Sequence, residues 1–330
     1  NQTEILATSP ASYRPDLPYN QEAMVLGRAL ILKTSGLPFV ERFVRRSFLF
    51  RPLVKRFVAG DTLDEAMHES ETLIGQNLTV TLDYLGENTK TEDEAIQARN
   101  TYIDILERIA AHPKKQDLNI SIKLTQCGLD LGDDYAEKNF RQVLEIGQRS
   151  DTFVRVDMEG SDYTDRTIRM IEKVFPEHPN TGTVLQSYLY RSIDDTKRMI
   201  QLGARVRVVK GAYLEPESVA HPDKSKVDEK YIEMSQMLLQ DGNYPAIATH
   251  DAKIIDAIKE FAAQKNIGKD RFEFQMLFGI RRDLQKSLRA EGYNVRIYLP
   301  YGDMWYPYFT RRLAERPANG FFILKSLFKG

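Results

Sequence analysis

Polar residues that interrupt short apolar, β-branched runs are the first chemical signal in this chain. Lys123, Asp157, Gln186, Arg207 with Lys210, Thr249 with His250, and Tyr298 each fall at or near the C-terminal end of such a run. An ammonium, a carboxylate, a guanidinium, an imidazole and a phenol brought to one place can bind an anionic substrate, steady developing charge and move protons. Taken singly, each also has a plain structural reading: Lys123 with Asp157 as a buried ion pair, His250 as a hydrogen-bonded core histidine. Their common position makes a binding site the better reading. A second constellation lies near the C-terminus, where Tyr308, Arg311, Arg312 and Glu315 follow one another at i, i+3, i+4 and i+7 and so share a helix face. Two adjacent guanidiniums suit a carboxylate, which arginine grips through paired hydrogen bonds. A surface Arg311–Glu315 pair would account for only one of them.

The elements needed to position these residues follow from periodicity. Strand patterns run over 78–85, 118–124, 152–158, 183–188, 204–209, 246–249, 272–277 and 294–299. Helical patterns fall near 91–112, 134–149, 162–175, 192–202, 226–240, 251–264, 280–291 and 303–316, the fourth opening on a capping-box pattern from Ser192 to Asp195. Eight strands each followed by a helix predict an α/β fold, a (βα)8 TIM-type barrel over 76–330 whose chemistry sits at the C-terminal ends of the strands. The rival is a doubly wound sheet holding a dinucleotide, which needs Gly-x-Gly-x-x-Gly after its first strand. No such run exists; the most closely spaced glycines, Gly128 and Gly132, make neither that motif nor a phosphate loop of the Walker type.

The chain has 330 residues with 46 Lys+Arg against 47 Asp+Glu, a net charge of −1, and offers no basic field to collect nucleic acid. A single cysteine, Cys127, allows neither an internal disulfide nor a cysteine-built zinc site, and no metal is expected. No apolar run approaches a bilayer span, and the segment after Asn1 lacks the layout of a secretory leader. Residues 1–75 read as an N-terminal helical arm. Within it residues 28–56 carry Arg28, Lys33, Arg42, Arg45, Arg46, Arg51, Lys55 and Arg56 against only Glu41, interleaved with Leu, Val and Phe. Such a segment packs on the barrel with its cations solvated, or lies on an anionic membrane surface.

A family resemblance now enters. Ser121-Ile-Lys-Leu-Thr-Gln126, Arg155-Val-Asp-Met-Glu-Gly160, Val184-Leu-Gln-Ser-Tyr188, Arg207-Val-Val-Lys-Gly-Ala-Tyr213, Phe272-Glu-Phe-Gln-Met-Leu277, Arg296-Ile-Tyr-Leu-Pro-Tyr-Gly302 and Tyr308-Phe-Thr-Arg-Arg-Leu-Ala-Glu315 closely resemble, in order and spacing, the proline dehydrogenase family. The chain is too short for the aldehyde dehydrogenase module of bifunctional members and resembles the monofunctional ones. The resemblance implies a distorted (βα)8 barrel with non-covalent FAD, oxidising L-proline to Δ1-pyrroline-5-carboxylate and sending electrons to a membrane quinone. It implies a cytoplasmic protein held peripherally at the inner membrane, the mitochondrial one in a eukaryote, with transient hand-off to pyrroline-5-carboxylate dehydrogenase. By position, Lys123, Arg311 and Arg312 would bind the substrate carboxylate, and Leu277, Tyr298 and Tyr308 would wall its ring. Arg207 would face flavin N5 and Gln186 the isoalloxazine, with Met158, Lys210, Gly211, Ala212, Thr249 and His250 as further cofactor contacts. Asp157 would orient Lys123 or Tyr298, and Glu87 would form a gate with Arg311. Two other readings stay open: a Schiff-base lyase or aldolase using Lys123, and a non-catalytic scaffold docking through the basic arm.

Overall fold

The structure, a computed structural model, describes residues 38–47 and 50–315. Its strands are β1 (Thr79–Tyr84), β2 (Leu118–Ile122), β3 (Val154–Val156), β4 (Thr181–Gln186), β5 (Arg205–Val209), β6 (Ala246–Ala248), β7 (Glu273–Leu277) and β8 (Asn294–Tyr301). Each pairs in parallel with the next, and β8 pairs with β1, closing the barrel. The expected (βα)8 fold is the one found. Helices α1 (Pro38–Arg46), α2 (Arg51–Phe57) and α3 (Leu63–Ile74) precede β1. The others follow their strands: α4 (Glu92–Ala110), α5 (Asp133–Arg149), α6 (Ser161–Val174), α7 (Ser192–Leu202), α8 (Lys224–Asp241), α9 (Ala252–Gln264), α10 (Arg282–Ala290) and α11 (Trp305–Glu315).

Strand periodicity explains where the core lies. Val80 and Leu82, Ile120 and Ile122, Val154 and Val156, Val206 and Val208, and Ile297 and Leu299 alternate along their strands and are fully or almost fully buried. They pack beneath the helices, joined by residues such as Tyr102, Ile105, Phe140, Ile171 and Ile258. The intervening positions point into the barrel, where apolar layers are usual. Here they are polar: Thr81 and Asp83, Asn119 and Ser121, Arg155, Arg207, Glu273 and Gln275, and Arg296. At the N-terminal end of the barrel Arg296 donates from Nε to both Glu273 carboxylate oxygens at 3.0 Å. Its Nη1 donates to the Val80 carbonyl at 3.0 Å. Buried charges of this kind persist only when paired and hydrogen-bonded.

Two departures from the regular plan bear on the site. The groove over β1 and β8, which the eighth helix fills in a regular barrel, is packed by α3, the helix that precedes β1. Among the described residues, 38–47 and 306–315 form one compact unit, which holds α1 and all of α11 but its first residue, and 50–305 form the other. Within the first unit, Arg45 pairs with Glu41 at 2.7 Å and lies over the Tyr306 ring, while Phe39 and Phe43 are exposed. Arg28 and Lys33 of the basic arm fall outside the described residues.

The expected cap at Ser192 is not used. Arg191 is the N-cap and makes no side-chain cap bond. The Ser192 hydroxyl donates instead to the Gln186 carbonyl at the end of β4, and Asp195 receives the Arg191 guanidinium at 2.7 Å. Full capping boxes occur at Thr62–Glu65 before α3 and Thr91–Glu94 before α4. Six strands are shorter than periodicity suggested, β3 keeping only three residues, whereas β4 starts and ends two residues earlier and β8 runs on to Tyr301.

Candidate active site

At the C-terminal mouth the polar residues meet, with partners that sequence reasoning had only partly assigned. Lys123, one residue beyond β2, places Nζ 2.8 Å from Oδ1 of Asp83 on β1. Both side chains are buried. Its ion-pair partner is therefore Asp83, not Asp157. Burial works against the Lys123 charge, but the facing carboxylates of Asp83, Asp157 and Glu87 outweigh it and hold the amine protonated, above its ordinary range.

Asp157, one residue beyond β3, joins a different pair. Its Oδ1 accepts from Arg207 Nη1 at 2.6 Å and its Oδ2 from the Tyr298 hydroxyl at 2.6 Å. Of the two orientation roles expected for Asp157, the geometry supports the one toward Tyr298. Arg207 is saturated further by Gln275 Oε1 at 2.5 Å and Ser121 Oγ at 3.0 Å, and its guanidinium lies 5.0 Å from the centre of the Tyr298 ring. Burial, then the nearby Asp157 and Asp83 charges, raise the Tyr298 phenol well above its ordinary value, so it stays a donor. Residues from β1, β2, β3, β5, β7 and β8 thus fix one guanidinium and one phenol in a single orientation.

The remaining predicted residues line the same end of the barrel. The Leu277 N–H at the end of β7 donates to His250 Nε2 at 3.0 Å, which leaves that ring nitrogen as the acceptor. Thr249 Oγ1 accepts the Asp251 N–H at 3.1 Å. Lys210 Nζ lies 2.6 Å from Asp228 and 3.1 Å from Asp251. Gly211 takes φ +116°, and a Cβ there would stand 2.5 Å from the Tyr188 ring, so the chain beside Ala212 needs glycine. Gln186 donates its amide to the backbone carbonyls of Glu159 at 3.1 Å and Met158 at 3.4 Å. Its buried Oε1 has no hydrogen-bond partner among the described residues. A buried acceptor left in this state fits an N–H donor from a bound group, and the imide N–H of an isoalloxazine is of that kind. The residues present therefore fit a flavin.

Tyr308, Arg311 and Arg312 sit on α11 in the other unit, where the Arg312 guanidinium lies 5.4 Å from the Tyr308 ring centre. Glu87 lies half-buried in the loop between β1 and α4. Asp83, Ser121, Gln275 and Glu159 are site residues that sequence reasoning passed over. Asp83 carried a readable signal, an acid at the inward parity of a strand whose outward positions are Val80 and Leu82. Among the described residues no cluster of His, Cys, Asp and Glu is placed to hold a metal ion, and no helix is long and apolar enough to cross a membrane.

A family model described as proline dehydrogenase matches residues 66–324. Proline dehydrogenase 1 of Bacillus subtilis (strain 168) is 42% identical over 275 residues, covering 83% of this chain and 90% of that protein. The proline dehydrogenase of Deinococcus radiodurans is 41% identical over 310 residues, 92% of this chain and 99% of that one. Among solved structures, proline utilization A from Bdellovibrio bacteriovorus inactivated by N-propargylglycine aligns with a TM-score of 0.78 and 26% identity. The match covers 90% of this chain but 37% of that longer protein.

Proposed function

We propose, from the premise that this chain belongs to the proline dehydrogenase family, that it oxidises L-proline to Δ1-pyrroline-5-carboxylate with non-covalent FAD. The observation that carries this reading is the preorganised, ion-paired and hydrogen-bonded Asp157–Arg207–Tyr298 assembly, together with the unsatisfied Gln186 acceptor at the end of β4. Bound FAD would supply the hydride acceptor for the proline Cδ–H bond and the route for electrons to a membrane quinone.

The chain's own residues do the rest. Lys123, Arg311 and Arg312 bind the substrate carboxylate, and the substrate reacts as the neutral amine, whose nitrogen lone pair assists hydride loss from Cδ. Leu277, Tyr298 and Tyr308 wall the pyrrolidine ring. Arg207 would hold the flavin and favour its reduced form by its guanidinium, and Asp157 positions both Arg207 and Tyr298. Gln186, Met158, Lys210, Gly211, Ala212, Thr249 and His250 hold the cofactor. Glu87 and Arg311 close as a gate over bound substrate. The basic, phenylalanine-bearing α1 gives peripheral contact with an inner-membrane surface, near the quinone, and product passes to pyrroline-5-carboxylate dehydrogenase.

A Schiff-base reaction at Lys123 needs a free amine, whereas this amine is held protonated against Asp83. The test is an absorption spectrum of the purified protein followed by dye reduction with L-proline. Flavin bands that bleach on adding L-proline are expected; a colourless protein that traps substrate on Lys123 with borohydride would overturn the reading.

A further inference from the structure

One buried acid at the mouth has no part in the chemistry above. Glu159 lies in the loop from β3 to α6, two residues beyond Asp157, and is almost fully buried. Both of its carboxylate oxygens accept from one residue of the β2 loop: the Thr125 N–H at 3.2 Å and the Thr125 hydroxyl at 2.6 Å. The same hydroxyl oxygen accepts the Asn88 N–H at 3.1 Å. The Thr125 carbonyl accepts the Thr89 hydroxyl at 2.6 Å and the Thr89 N–H at 3.4 Å. Asn88 stands in the left-handed region at φ +53°, which asparagine adopts more readily than other side-chain-bearing residues. Three mouth loops, those after β1, β2 and β3, are therefore tied together through Thr125, and the first of them carries Glu87.

We propose that Glu159 is a positioning residue, which acts through Thr125 to set the loop between β1 and α4 and thereby the place of Glu87 at the mouth. Its effect on turnover rests on the reading of this mouth as the proline site; its effect on the loop does not.

Ionisation of Glu159 governs the tie. Burial pushes its carboxyl up to about 7, with the Thr125 bonds and Lys123 drawing it down and Glu87 raising it. The other titratable groups around it are Tyr102 on α4, Cys127 in the β2 loop and Tyr163 on α6. Ionised, both oxygens accept, and the Thr125 hydroxyl donates to one while receiving Asn88. Protonated, one oxygen becomes a donor. If it donates to Thr125 Oγ1, the Thr125 hydroxyl proton loses the Glu159 oxygen as its acceptor in a buried place, while the Asn88 N–H still occupies the other lone pair of Oγ1. The loop is thus held more tightly above pH 7 than below it.

The test reads the loop directly, by amide hydrogen exchange of Asn88 and Thr89 in the purified protein, corrected for intrinsic rates at each pH. Glu159→Gln should speed exchange about tenfold at pH 8, the loss expected for one buried charge-assisted hydrogen bond. It should also erase the wild-type change in protection centred near pH 7. Thr125→Val should do the same with the carboxylate intact, and Thr125→Ser should restore protection. In turnover, Glu159→Gln should raise the proline KM about tenfold with kcat within about twofold and flavin content unchanged. Unaltered protection in both Glu159→Gln and Thr125→Val would overturn the proposal, as would loss of flavin with normal protection, which would make Glu159 a cofactor ligand. If the wild type does not oxidise proline, the functional reading falls, while the exchange data still decide the role of Glu159.

Discussion

The pairing of Lys123 with Asp83 yields a prediction whose size follows from burial. The two side chains are 8% and 1% exposed and meet at 2.8 Å. Asp83→Asn keeps the shape but leaves a buried ammonium short of its nearest counter-charge. Breaking a buried pair by removing one partner costs about 3–5 kcal/mol. Asp157 and Glu87 still face Lys123, so the lower end, about 3 kcal/mol, is expected. Lys123→Met removes the other charge and leaves Asp83, whose carboxyl burial already raises above its ordinary value; it can escape part of its penalty by taking a proton. The double variant should be far more stable than the sum of the single losses, because replacing a whole buried pair by groups of similar volume is often neutral. The assay is equilibrium urea unfolding of wild type, both single variants and the double variant, at one fixed excess of FAD so that cofactor linkage is common to all four. A coupling energy of about 2 kcal/mol or more is expected; additivity within about 0.5 kcal/mol would mean that Asp83 does not sustain the Lys123 charge.

Arg312→Met should raise the proline KM by roughly ten- to hundredfold with flavin content unchanged, since a charge-assisted hydrogen bond to the carboxylate is worth about 1.5–3 kcal/mol; flavin loss with a normal KM would refute that assignment. Tyr298→Ser should shift kcat/KM toward trans-4-hydroxy-L-proline relative to proline by about tenfold or more, as room opens for the ring hydroxyl. A ratio that stays put under one dye acceptor would remove Tyr298 from the ring pocket. Glu159 also predicts a stability profile: its folded-state carboxyl lies near 7, above the unfolded value, so its contribution is present below about pH 4.5 and lost as pH rises through about 7. The wild type should lose up to about 3 kcal/mol over that window relative to Glu159→Gln, and a difference of the opposite sign would contradict the burial argument.

How much of this was legible in the sequence depended on the range of the interaction. The barrel was readable because Val154-Arg-Val156 and Val206-Arg-Val208 alternate apolar and charged residues at period two, one face for the helices and one for the interior. The mouth was readable because Lys123 and Asp157 fall just past such runs. Which carboxylate Lys123 meets was not, since the choice is set by the β1–β2 register that brings Asp83 opposite Ser121. Both acids are within a side chain's reach of the mouth, and only the register ranks them. Ser192 failed as a cap for a similar reason: a nearby carbonyl, that of Gln186, competes for its hydroxyl. Nothing in the periodicity of α3 says which groove it fills.

That placement of α3 has a consequence in the order of synthesis. The last seam joins β1 to β8, with contacts such as the Thr79 hydroxyl to the Val295 carbonyl spanning 216 residues of sequence. The helix that seals this seam is made before β1, and the second strand it must cover follows six intervening strands. Until β8 is available, β1 keeps an open edge and α3 has only half its partner surface, so the growing chain carries an unprotected strand while β2 to β7 are made. Barrel closure is then a late, long-range step, and refolding should be slow and sensitive to protein concentration.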